Sequence, residues 1–95
     1  MTDQTVYLPA LLSPGEAVML RNSLLAALTH GGKTILEGSA VHEISVQGLA
    51  VLLSFISTSN AIGHPWAIKA PSEEMVVALE HYGLFSDLMT WPVEM

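Results

Sequence analysis

Residues able to do chemistry crowd one short stretch of the chain, Val41-His42-Glu43-Ile44-Ser45-Val46-Gln47-Gly48-Leu49. It follows a strand-like run, Lys33 to Leu36, and leads into the apolar segment from Leu49 to Ile56, which puts Ser45 at a helix N-terminus. Unpaired backbone N–H groups and the positive end of the helix dipole favour a hydroxyl cap, an anion or a phosphoryl group there. Ser45 is therefore read both as an N-cap and as a phosphoacceptor candidate. A phosphoryl group would add about −1.5 to −2 charges beside Glu43 with no arginine near in sequence, so its main effect would be to expel a partner.

A hydrolytic reading of Glu37, His42, Glu43 and Ser45 would need an imidazole base oriented by a carboxylate. The chain has no G-x-S-x-G elbow, and three polar residues in one turn are more often solvated than bonded to one another, so no catalytic residue is assigned. His30, His42, His64 and His81 follow no H-x-x-x-H or H-E-x-x-H spacing; no metal site is expected, and all four are read as surface or loop residues. Gly31-Gly32 stands before a strand, and no P-loop lysine follows, so no nucleotide and no other cofactor is expected.

The elements that must hold this turn in place are marked by their ends. Thr5-Val6-Tyr7-Leu8, closed by Pro9, reads as a first strand. Ser13-Pro14-Gly15-Glu16 is a capping-box start for a first helix, which Gly31-Gly32 ends and whose buried face is Ala17, Leu20, Leu24 and Leu28. A second strand covers Lys33 to Leu36. The second helix is predicted from Val46 to Ser59, closed by Asn60 and Gly63, burying Leu49, Leu52, Leu53 and Ile56 and turning Gln47, Ala50, Ser54 and Ser57 outward. Pro65 to Ala70 reads as a third strand. Pro71-Ser72-Glu73-Glu74 opens a third helix that Gly83 stops, and Leu84 to Trp91 reads as an apolar final turn or short helix. The pattern is βαβαβα: one α/β domain over residues 1–95, with a mixed, mainly parallel sheet covered by helices.

Composition narrows the function. With 51% apolar and only 13% charged residues, some apolar surface must stay exposed, which leans toward an interaction module. Met19, Met75, Met89, Trp66 and Trp91 are read as core or subunit-contact residues. Three basic residues against nine acidic ones supply no stripe for nucleic acid and no anchor for an anionic membrane surface. No apolar run reaches the length of a membrane span, and the start carries no secretory pattern. The absence of cysteine removes disulfides and thiolate chemistry. A soluble, cytoplasmic protein is the expectation.

Val41-x-x-Ile44-Ser45-x-x-Gly48-Leu49-x-x-Leu52-Leu53 resembles the signature V-x-x-I-[DS]-[ST]-x-G-L-x-x-L-L of the STAS domain, the fold of anti-anti-sigma factors and of sulphate-transporter tails. Gly63 to Ser72 is similar to that family's glycine, strand and proline-serine helix opening. Leu79-Glu80-His81-Tyr82-Gly83-Leu84 is similar to its close. The resemblance spans nearly the whole chain.

It implies a bacterial, non-enzymatic anti-sigma factor antagonist acting in signal transduction or a chemotaxis-associated partner switch. Its partner would be an anti-sigma or serine-kinase-like protein or a chemotaxis component, and phosphorylation would control binding. The positions just before the motif glycine, where such proteins carry their acceptor, hold Val46 and Gln47, which leaves Ser45 as the candidate. The implied partner surface comprises His42, Glu43, Ser45, Val46, Gln47, Ala50, Ser54 and Ser57. The alternative is a constitutive structural subunit similar to the small STAS component of lipid-trafficking ABC transporters, with the transporter ATPase as partner. The few residues before Thr5 leave a sheet edge open to pairing in a homodimer.

Overall fold

Burial alternates along Thr34–Glu37, and the parallel register carries that alternation to the neighbouring strands, giving two unlike faces. The computed structural model describes residues 2–95. In chain order the elements are β1 (Gln4–Tyr7), β2 (Leu11–Leu12), α1 (Pro14–Leu28), β3 (Thr34–Glu37), β4 (Glu43–Ile44), α2 (Val46–Ile62), β5 (Trp66–Lys69), α3 (Glu73–His81), α4 (Phe85–Leu88) and β6 (Val93–Glu94). The main sheet has the order β1-β3-β5-β6, and every pairing is parallel. The α/β class with a mainly parallel sheet is as expected from the sequence, although no antiparallel pair is found among the described residues.

Val6, Leu36 and Ile68 lie side by side in register and are buried, whereas Tyr7, Glu37 and Lys69 form the adjacent row on the opposite face. The strand order advances in one direction, so right-handed crossovers, the rule between parallel strands, set the helices on one face of the sheet. Leu20, Leu24, Leu49, Leu52, Phe55, Ile56, Met75 and Leu79 fill the layer between helices and strands. The other face has no helix, and Tyr7 stands 74% exposed on it. Lys33 and Glu94 form an ion pair between the strands that flank β5, where Ala67 leaves room and is fully buried.

Several details differ from the sequence reading, and in α1 the buried face takes Ala27 in place of Leu28, which is half-buried. β2 and β4, two residues each, form a separate parallel pair, Leu11 with Glu43 and Leu12 with Ile44. The apolar tail does form a short helix, α4, but the chain then returns after Pro92 as β6, a fourth strand of the main sheet. α2 runs to Ile62, beyond the predicted Ser59, because Asn60 stays helical while its side chain accepts a hydrogen bond from Trp66 Nε1 at 2.9 Å. Gly63, at φ 74°, provides the left-handed cap that ends it. The buried stripe of α2 takes Phe55 in place of Leu53, which is half-buried.

Candidate functional site at the carboxyl edge of the sheet

All strands run the same way, so the three long helices start at one edge of the sheet, the edge at which open α/β folds present their sites. Each start is capped by serine. Ser13 accepts from Glu16 N–H at 3.3 Å, Ser45 from Gly48 N–H at 3.0 Å and Ser72 from Met75 N–H at 3.0 Å. The expected N-cap role of Ser45 is thus the observed one.

The segment from Val41 to Ser45 is held on both sides. Toward α1, Ser45 N–H donates to Leu12 C=O at 2.9 Å, and both His42 N–H and Glu43 N–H donate to Ala10 C=O. Toward α3, the Ser72 hydroxyl donates to Val41 C=O at 2.6 Å and the Tyr82 hydroxyl to Ile44 C=O at 2.9 Å. Of the apolar letters of the motif, Val41, Ile44, Leu49 and Leu52 are core residues and Leu53 packs half-buried against them. Gly48 has a steric reason: a Cβ there would collide with the Leu12 side chain and stand 3.0 Å from Leu12 C=O. The motif therefore builds a rigid turn, and the side chains it turns outward are what a ligand or partner would meet.

Those side chains are His42, Glu43, Val46 and Gln47, all exposed, with Ser45 half-buried among them. Val46 is 65% exposed, an apolar residue on the first turn of α2. His42 Nδ1 lies 3.0 Å from Glu74 Oε2, and the two residues line one shallow groove between β4 and α3 together with Glu43, Glu73, Val77 and His81. Three carboxylates and no lysine or arginine give this groove an acidic character.

Ala50 and Ser54 are exposed on α2 and line a second groove, of about 250 Å³, against Arg21, Leu24, Leu25 and Phe55. Ser57, two turns after Ala50 on the same side of α2, is exposed as expected but does not line that groove.

The residues that a hydrolytic triad would require are not brought together. Ser45 Oγ caps α2, His42 faces Glu74, and Glu37 accepts from the Ser39 hydroxyl at 2.9 Å. Among the described residues, no group of three or more His, Asp or Glu side chains could hold a metal ion. Of the four histidines, His64 is a loop residue as read but half-buried, with Nε2 2.8 Å from Thr34 Oγ1 and its ring edge-on to Phe55. Met75 and Trp66 are core residues and Trp91 packs edge-on against Trp66, whereas Met19 and Met89 are exposed.

Sequence reasoning missed Arg21, Leu25, Glu74 and Tyr82 as parts of these surfaces. The i, i+4, i+7 spacing of Arg21, Leu25 and Leu28 was the available signal for the first two. Tyr82 and Glu74 are joined to the turn only by the tertiary fold. No helix among the described residues is long and apolar enough to cross a membrane. Compared with protein-family models, curated proteins and solved structures, the chain matches none.

Proposed function

We propose that this chain is a non-enzymatic, STAS-like protein-interaction module of the anti-sigma factor antagonist kind, acting in a bacterial, cytoplasmic partner switch. The observation that carries the reading is the turn from Val41 to Ser45. It is fixed by backbone hydrogen bonds on one side and by Ser72 and Tyr82 on the other, yet it presents an exposed histidine, carboxylate, valine and glutamine at the carboxyl edge of the sheet. A preorganised surface of this sort loses little conformational entropy when a partner docks.

The partner surface runs from His42, Glu43, Ser45, Val46 and Gln47 onto Ala50, Ser54 and Ser57, whose small side chains let a helix or loop approach closely. Ser45 is the phosphoacceptor candidate. Phosphorylation there would place negative charge among Glu43, Glu73 and Glu74, with no arginine or lysine lining the groove to accept it, and would repel an acidic or apolar partner surface.

One observation favours the second reading, a constitutive structural subunit bound to a transporter ATPase. The Ser45 hydroxyl is already engaged as a cap, and Val46 and Gln47 offer no alternative acceptor. Affinity capture of the chain from its own cells, with fragment mapping of the region around Ser45, separates the two. A fraction phosphorylated on Ser45, depleted from the captured complex, supports the switch. Stoichiometric capture of an ATPase by wholly unmodified protein supports the structural subunit. Failure of Ser54→Arg to reduce capture of any partner contradicts both.

A further inference from the structure

β1 is an open edge of the main sheet. Gln4 N–H donates to Lys33 C=O at 2.8 Å and Leu8 N–H to Glu37 C=O at 2.9 Å, so the alternate residues, Thr5 and Tyr7, aim their backbone groups away from β3. Among the described residues nothing in the backbone pairs with them. The devices that usually blunt an edge, a lysine, a proline or a bulge, do not occur within Gln4–Tyr7.

The flank of α1 on the same side is equally unguarded. Arg21, Leu25 and Leu28 face the α2 groove, which leaves Met19, Asn22, Ser23 and Ala26 toward the β1 edge. All four are exposed and uncharged, Met19 is 64% exposed, and Glu16, one turn before Met19, is the one carboxylate on this flank.

We propose that a second copy of this chain pairs with this edge about a two-fold axis beside Val6, making one continuous eight-stranded sheet across the dimer. The axis sets β1 antiparallel to its symmetry mate with Thr5 opposite Tyr7 of the second copy. Each such pair exchanges both of its N–H···O=C bonds, giving four hydrogen bonds across the interface. On the helix-free face the same register sets a tyrosine against a threonine twice, a favourable cross-strand combination. On the helical face it brings the two α1 flanks together in antiparallel directions. This self-complementarity selects a second copy over an unrelated strand: a chain with net charge −6 meets itself most closely where like charges stay apart, and the two-fold axis sets Glu16, the one carboxylate on this flank, toward the C-terminal end of the second copy's α1 and away from its own counterpart. The partner face proposed above lies on α2 and the β4 turn, so the inference stands independently of it.

Light scattering on size-exclusion chromatography and sedimentation equilibrium of the whole chain and two variants provide the test. The whole chain should have twice the 10.2 kDa chain mass. Thr5→Pro removes an N–H that points only outward, leaving β1–β3 pairing intact, and deletes two of the four intersubunit bonds. It should weaken dimerisation about thirtyfold. Ser23→Glu, at an exposed helix position, should also shift the equilibrium to monomer while its circular dichroism and melting temperature stay those of the parent. A parent chain that is monomeric at every soluble concentration overturns the proposal, as does a dimer that both variants leave undisturbed.

Discussion

Replacing Gly48 by alanine pits two opposed effects whose sum has a definite sign. Alanine is the better helix former, worth about 1 kcal/mol in a helix interior and less in this first turn. Against this, the new methyl would fall on the Leu12 side chain, 2.8 Å from its Cδ2 and closer still to Cγ, and 3.0 Å from the Leu12 carbonyl oxygen. Leu12 is 1% exposed and belongs to the β2–β4 ladder, so it cannot swing aside into solvent. Overpacking of this kind costs about 1–3 kcal/mol, which gives a net loss of about 1–2 kcal/mol. At roughly 4–8 °C per kcal/mol for a domain of this size, the melting temperature should fall by about 5–15 °C. Urea titration by circular dichroism measures it, and Leu12→Ala supplies the control. In that background the side-chain collision is gone and only the 3.0 Å approach to the carbonyl oxygen remains, so the cost of Gly48→Ala should fall to about zero, a coupling of at least about 1 kcal/mol. A single Gly48→Ala variant more stable than the parent would refute the steric account of the motif glycine.

Ser72 both caps α3 and donates to Val41 C=O, so Ser72→Ala should cost about 1–3 kcal/mol in chemical denaturation. Ser13→Ala, which removes an exposed cap alone, should cost about 0.5–1 kcal/mol. Tyr82→Phe deletes the tether to Ile44 C=O and should cost about 0.5–1.5 kcal/mol, with amide exchange of the 41–45 turn accelerated more than that of β3. The hydrogen bond that the Lys33 ammonium donates to the Glu94 carboxylate holds it above the ordinary lysine value of 10.5. Because the folded-state value is the raised one, its stabilisation is fully present below the unfolded value and disappears as pH climbs through the folded one. The stability difference between the parent and Lys33→Met should therefore stay constant from neutral pH into the weakly alkaline range and close above 10.5.

The parts of the fold written into local chemistry were legible. Ser13, Ser45 and Ser72 read as caps because a serine before an apolar-periodic run has one common use, and Gly63 and Gly83 read as stops because each takes a positive φ. The runs Lys33 to Leu36 and Pro65 to Ala70 showed as strands through their β-forming residues, each end within one residue of the strands Thr34–Glu37 and Trp66–Lys69. β2, β4 and β6 are two residues each, too short to carry any periodicity, and they exist because a neighbouring strand offers its edge. The same limit hid the scaffolding of the candidate site. Exposure of His42, Glu43, Gln47, Ala50, Ser54 and Ser57 follows from helix phase and turn polarity. The grips of Ser72 and Tyr82 on that turn join residues more than thirty positions apart, and Arg21 reaches the Ala50 groove only once α1 and α2 are packed together.

The central claim, that the α2 N-terminus is a charge-sensitive partner surface, is tested most directly by Ser45→Asp. Aspartate caps a helix as well as serine does, so the fold should be unchanged, while a fixed negative charge is added where phosphorylation would add one. Isothermal titration of the partner captured from the parent's own cells against both proteins should show affinity for Ser45→Asp reduced at least about tenfold, or about 1.4 kcal/mol. Equal affinity of the two proteins, with the aspartate variant fully folded, would contradict the switch.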